Sequence, residues 1–314
     1  MARFLVRRMI LIVLTLLVVS VAIFVITQIL PGNVAQMALG RGATAHDIQV
    51  LRHQLGLDRP AYIQYFDWLT NILRGKLGNS LYLRTPIADI LPDRLENSLI
   101  LAAFSFFLAI PTAVLAGIWA GINRDSKGDR FLSTASMVII SLPEFVTGVI
   151  LIIVLASMLH LLPSSSIILP GTSPLTRPQI LIMPALTLTG VMFGYIVRMT
   201  RANVIEVMRT NYVRTAILKG LPMRRVIFRH VVPNALLPTI SIIASSIGWM
   251  LGGLIIVEVV FAYPGLGTLL LDAVNTRDIP LLQIVTLIIA ATYALSNLAA
   301  DLSYAALDRR VRLS

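Results

Sequence analysis

The stretch Asn211-Tyr212-Val213-Arg214-Thr215-Ala216-Ile217-Leu218-Lys219-Gly220 decides how this chain is read. It is short, basic and helical in pattern, and long apolar runs lie on either side of it. Between residues 198 and 238 the chain carries eight Lys or Arg and a single acid, Glu206. Arg198 and Arg201, three residues apart, share a helical face. Gly220 supplies a helix stop, because a residue without Cβ enters positive φ freely. Pro222 suits the first position of a following helix, where its missing N–H is no loss. That helix carries Arg225 and Arg229 at i,i+4 and is predicted to end near Pro233, with return to the apolar phase at Pro238. The segment therefore reads as helix, sharp turn, helix. Thr215 and Ala216 are small enough to let a partner groove approach closely, and Gly220 fixes the bend. Spacing alone fits equally well with a basic loop held to anionic lipid.

Working outward, composition names the solvent. Of 314 residues, 57% are hydrophobic and 13% charged, with mean hydropathy +0.84. Soluble domains carry about a quarter charged residues. Six apolar windows stand out, at about 9–30, 99–122, 131–159, 180–197, 236–261 and 281–304. Most exceed the ~20 residues that cross about 30 Å of hydrocarbon at 1.5 Å per residue. The expectation is an all-α polytopic membrane protein with six transmembrane helices. The first window follows Arg3, Arg7 and Arg8, as a secretory leader would, but it is too long for one and no Ala-x-Ala site follows at Pro31-Gly32-Asn33. It is read as a retained helix.

Orientation follows from the basic residues. With a cytoplasmic N-terminus, the inner segments 1–8, 123–130, 198–235 and 305–314 hold 17 of the 26 Lys and Arg. Seven of the other nine lie in one long loop, 31–98, and long loops cross largely regardless of charge. Both termini are therefore expected in the cytoplasm. The same distribution assigns the net charge of +11 to topology rather than to nucleic acid. There is no cysteine, so disulfides, thiolate metal sites and cysteine nucleophiles are excluded. His46, His53, His160 and His230 are too far apart in sequence to suggest a metal site.

The chain is thus divided into 1–98, one membrane helix plus an outer loop, and 99–314, five helices with the basic segment 198–235. In the outer loop, Thr44 with Asp47 three residues on forms a plausible N-cap for a helix through Ile48, Leu51 and Leu55 that stops at Gly56. A second helix is predicted from near Pro60 to Gly75, burying Tyr62, Tyr65, Leu69, Ile72 and Leu73. The loop reads as a cap on the membrane domain, as a platform for an outside partner, or as both.

The Thr215-Ala216-x-x-x-Gly220 core resembles the Glu-Ala-Ala-x-x-x-Gly signature of ABC importer permeases. Further segments resemble the dipeptide, oligopeptide and nickel permeases of the DppB/OppB type. These are Leu30-Pro31-Gly32, Leu51-Arg52-His53-Gln54-Leu55-Gly56-Leu57-Asp58, Leu77-Gly78-Asn79-Ser80, Asn234-Ala235-Leu236, and Val257-Glu258-Val259-Val260-Phe261-Ala262-Tyr263-Pro264-Gly265-Leu266-Gly267. Asn297, Asp301, Tyr304 and Leu307-Asp308 close the series, so the likeness is collinear over almost the whole chain. The chain departs from it at Asn211, where the family often has an acid, at Tyr263, usually Trp, and at Ile279, usually Tyr.

The resemblance implies a type I ABC importer permease in the inner or plasma membrane of a prokaryote. It implies a heterodimer with a DppC/OppC-like second permease, two ABC ATPase subunits and an extracytoplasmic solute-binding protein. Asn211, Tyr212, Arg214, Thr215, Ala216, Lys219 and Gly220 would form the helix that docks on an ATPase. No cofactor is expected on this chain; ATP and Mg would sit on the partner ATPases. In keeping with that, the chain has no Gly-x-x-x-x-Gly-Lys-Ser/Thr loop, since Gly75-Lys76 is followed by Leu77. The implied cargo is a di- or oligopeptide, with nickel chelates, haem, opines or oligosaccharides as alternatives on the same scaffold.

Three acids fall in or at the edge of the windows, where charge is expensive and usually faces a cavity or a partner. Glu144 follows Pro143, an expected helix break, and with Ser141 and Phe145 is a candidate for the translocation path. Glu258, with Gly252 and Gly253 nearby, is a candidate counter-charge for a cargo amine, or a structural group within the family motif. Asp301 is expected to pair with Arg309 or Arg310. An ion-coupled transporter or channel would need internal repeats or an intramembrane ion-binding cluster, and an intramembrane protease a Ser/His or paired-Asp constellation. None of these stands out in the sequence.

Overall fold

A computed structural model describes residues 2–29, 58–169 and 171–307, with Thr44, His46, Gln49, Val50 and His53 between the first two stretches. Most of the predicted helix that ends at Gly56, the Leu30-Pro31-Gly32 motif and the expected partners Arg309 and Arg310 of Asp301 lie outside the described residues. Among the described residues the chain is helical, and its β-structure is one isolated bridge between Asn79 and Pro86. The helices are α1 (Ala2–Ile29), α2 (Ala61–Leu73), α3 (Ile87–Ile122), α4 (Lys127–Ser141), α5 (Glu144–Leu151), α6 (Gln179–Met208), α7 (Asn211–Leu218), α8 (Met223–Val226), α9 (Val232–Val260), α10 (Leu266–Asn275) and α11 (Ile279–Leu307).

Among the described residues, four helices are long and apolar enough to cross a membrane: α1, α3, α6 and α11. A fifth span is reached if α4 and the α5 segment count as one. The window 131–159, read above as a single span, is broken by a bend of 111°. The cause is local. Pro143 has no N–H to give the ladder and excludes the α conformation from the residue before it, so Leu142 is extended at ψ 133°. A second difference concerns Pro233 and Pro238. Pro233 stands at the junction of a π turn with α9, and Pro238 is carried inside the helix, so neither ends it. From Met223 the backbone runs through α8, a π turn at Ile227–Val231 and α9 without a stop.

The chain forms two compact units. The first comprises residues 1–96 and 265–295. Here α2 lies on α1. The Ser20 and Tyr65 hydroxyls are hydrogen-bonded at 2.8 Å, and Phe24 packs against the rings of Tyr65 and Trp68. Gly75 ends α2 at φ +77°, as predicted. The inward stripe is Tyr65, Trp68, Leu69 and Ile72, whereas Tyr62 and Leu73 are exposed at the ends of the helix. Asp278 is buried and opens α11. It accepts hydrogen bonds from Ser80 Oγ at 2.5 Å, Tyr82 N at 3.1 Å and Leu281 N at 3.3 Å.

The second unit comprises residues 97–264 and 296–314. Its axis is α6, which packs against α4, α5 and α9. Lipid is as apolar as leucine, so close packing rather than the hydrophobic effect must hold such helices together. Glycines provide it. A Cβ at Gly117 or Gly121 of α3 would collide with Thr200 or Val204 of α6, and one at Gly194 of α6 would collide with Ile140 of α4. The core around this axis includes Leu181, Met183, Ile196, Val197, Val257 and Phe261.

Candidate functional site

The basic segment is a short helix with two unlike faces. Val213 and Ala216 of α7 are buried in one cluster with Val204, Val226, Val231 and Ala235. The helix ends in a Schellman turn. Gly220 N–H donates to Ile217 O at 2.9 Å, Leu221 N–H donates to Ala216 O at 3.4 Å, and Gly220 sits at φ +73°. The other face is open. Asn211, Tyr212, Arg214, Thr215, Ile217, Leu218 and Lys219 are all exposed, Leu218 at 79%. Ala216 therefore does not face a partner groove. Its small side chain is needed beneath the helix, where α7 is seated on this chain's own core.

Beside the seat lies an ion pair that sequence reasoning missed. Arg201 grips the Asp129 carboxylate with two nitrogens, Nε at 2.5 Å and Nη2 at 2.7 Å. Asp125 N–H also donates to Asp129, at 2.9 Å, and the aspartate is buried. A fork-to-fork pair of this kind is strong and fixes direction as well as distance. It ties the start of α4 to the lower part of α6. The signal in the sequence was Ser126-x-x-Asp129: Ser126 accepts from Asp129 N–H and caps α4, which placed an acid at that corner but not its arginine.

The two glutamates of the apolar windows have unlike surroundings. Glu258 is fully buried, takes a hydrogen bond from Ser98 Oγ at 2.5 Å, and is followed by a turn in which Tyr263 N–H donates to Glu258 O at 2.8 Å. The Tyr263 hydroxyl donates to Asn97 O at 2.7 Å, and Asn97 Nδ2 donates to Pro264 O at 2.9 Å. Burial, reinforced by the Glu258 charge, pushes the Tyr263 hydroxyl above the ordinary tyrosine range, so it remains a donor. Glu144, by contrast, stands at the start of α5 and lines a cavity of about 250 Å³ with residues of α6 and α9. Its carboxylate lies where a Cβ on Gly253 would be. The structure thus brings Glu144 and Gly253 together. Ser141, Phe145 and Gly252 are exposed and are not among the residues that line the cavity.

Among the described residues no three His, Cys, Asp or Glu are grouped to hold a metal ion. With most of its helices apolar, a basic protruding turn and a carboxylate-lined cavity, the chain has the build of a membrane permease. Residues 113–313 match the binding-protein-dependent transport system inner membrane component family, and residues 1–102 match its N-terminal family. Among curated relatives, the glutathione transport system permease protein GsiC of Escherichia coli O6:H1 is 36% identical over 312 residues, 99% of each chain. GsiC of Escherichia coli K12 is 35% identical over the same length, again 99% of each. The probable peptide ABC transporter permease protein y4tP of Sinorhizobium fredii is 33% identical over 314 residues, 99% of this chain and all of the relative. The chain belongs to this family of ABC importer permeases and is a multi-pass inner-membrane protein. It is a transport subunit rather than an enzyme, and ATP is hydrolysed by partner ATPases.

Proposed function

We propose that this chain is one of two permease halves of a type I importer for peptides, coupled to its ATPases through α7. Six membrane helices are read from the six apolar windows, and the positive-inside distribution of Lys and Arg favours cytoplasmic termini. The observation that carries the coupling role is the asymmetry of α7. Val213 and Ala216 lock it to the core, while Tyr212, Ile217 and Leu218 are held in the open beside Arg214 and Lys219. Exposed apolar groups ringed by charge mark a protein contact. An ATPase groove is the partner that fits, and closure of the ATPase pair would push α7 and rock the helices packed on it. The second permease, two ATPases and a solute-binding protein complete the machine, with ATP and Mg on the ATPases.

Relatives described as glutathione and peptide permeases favour peptide cargo. The test is ATP-dependent uptake in proteoliposomes holding the whole complex. Leu218→Asp, which alters only the open face, is expected to reduce uptake at least tenfold with membrane insertion unchanged. Full uptake by that variant, or uptake driven by an ion gradient without the ATPases, would rule the reading out. Gly220→Pro is expected to give the same loss by opening the Schellman turn.

A further inference from the structure

We propose that the cavity beside Glu144 receives the cationic end, a primary ammonium group, of the transported solute. This rests on the reading of the chain as half of a translocation path, and it adds the chemistry of one subsite. Four observations carry it. First, among the described residues Glu144 is the only charged group lining the cavity, and its carboxylate makes no ion pair or hydrogen bond with them. A carboxylate among apolar helices with no partner is expensive and implies a cation from outside this chain.

Second, the break at Leu142-Pro143 stands directly before it. Irregular backbone at membrane depth is tolerated where it is buried in protein or lines a cavity, so the kink and the cavity explain each other. Third, the seat is shaped for the carboxylate. Gly253 is buried with its Cα against both Glu144 oxygens, space that any side chain at 253 would take. Fourth, the rest of the lining suits an ammonium. It offers the hydroxyls of Ser245 and Ser246 as acceptors and the rings of Tyr195 and Trp249 as cation–π faces, over an apolar floor that includes Leu188 and Met250. A cavity of about 250 Å³ is below the usual range of ligand pockets and takes only one end of an oligopeptide. A bare divalent ion fits it poorly, since such ions take six or more oxygen ligands.

The experiment uses the purified complex of both permeases and both ATPases in nanodiscs, without the binding protein. Equilibrium binding is measured for two labelled probes, alanyl-alanine and N-acetyl-alanyl-alanine. The complex with the native chain is expected to prefer the free amine. Glu144→Gln is expected to weaken binding of alanyl-alanine at least tenfold and to leave the acetylated probe unchanged. Gly253→Ala, which displaces the carboxylate, is expected to lower free-amine binding about threefold, and Glu144→Asp to retain part of the preference. No amine preference in the native complex, or equal effects of Glu144→Gln on both probes, overturns the proposal. So does loss of the second permease from the Glu144→Gln complex on size exclusion, which would assign the carboxylate to a cation on that subunit. ATP-dependent uptake of alanyl-alanine through the binding protein is measured in parallel with Leu218→Asp. Loss of uptake in Leu218→Asp together with unaltered probe binding by Glu144→Gln rejects the subsite alone, whereas full uptake by Leu218→Asp rejects the reading beneath it.

Discussion

Glu258 and Glu144 are both carboxylates among apolar helices of one unit, and they are housed in opposite ways. Glu258 is sealed, bonded to Ser98, and neighbours a turn that Tyr263 and Asn97 knit together. Glu144 is half-buried at a helix break and opens onto a cavity. The lesson concerns what makes a membrane carboxylate structural. Depth alone does not decide it. A buried acid whose oxygens are occupied by its own chain holds the fold together, and an acid whose oxygens face a void is left for something that comes and goes.

This contrast is breakable by mutation, with stability read as the melting of the detergent-solubilised protein. The largest effect is expected at a third carboxylate that shares the sealed character, Asp129. Arg201→Leu strands it buried and unpaired and should destabilise the protein by about 3 kcal/mol. Glu258→Leu leaves the Ser98 hydroxyl without this acceptor and should cost about 2 kcal/mol, and an unchanged melting temperature would erase the distinction drawn here. Tyr263→Phe removes one donor from Asn97 O and should cost about 1 kcal/mol. Glu144→Leu should be the mildest, within about 0.5 kcal/mol, because among the described residues no hydrogen bond or ion pair uses its oxygens. If Glu144→Leu melts as early as Glu258→Leu, the two acids belong to one class after all.

Much of the fold was legible because its signals are local. Apolar runs of about 20 residues, glycine stops at Gly75 and Gly220, and the break at Pro143 depend on neighbours a few residues away; both stops and the break are where the pattern put them, and four of the runs lie in helices long and apolar enough to span. The size of the bend at Pro143 was not legible, because packing on α6 and α9 sets the direction α5 takes. Nor was the fate of Pro233 and Pro238. A proline ends a helix or rides within it according to where the first turn falls, and here the π turn at Ile227–Val231 shifted that register. The candidate site was half legible. The sequence marked Glu144 as an acid after a helix break and Gly253 as a small residue near Glu258, and the family resemblance marked α7, though not its exposed Ile217 and Leu218. Neither gave a means to see that Ala216 turns inward, that Glu258 is sealed, or that Asp129 and Arg201 meet across 72 positions.

The glycine contacts along α6 have one more consequence. The helix carries Leu188 and Met192 in the wall of the Glu144 cavity, and sixteen residues below Leu188 it carries Val204 in the seat of α7. At 1.5 Å per residue those stations are about 24 Å apart on a single rod. Thr200 and Val204 are clasped by Gly117 and Gly121, and Gly194 is clasped by α4, so the rod has little room to flex between them. A tilt imposed at its foot is then felt at its waist as the same rotation, with no chain of intermediate side chains to carry a message.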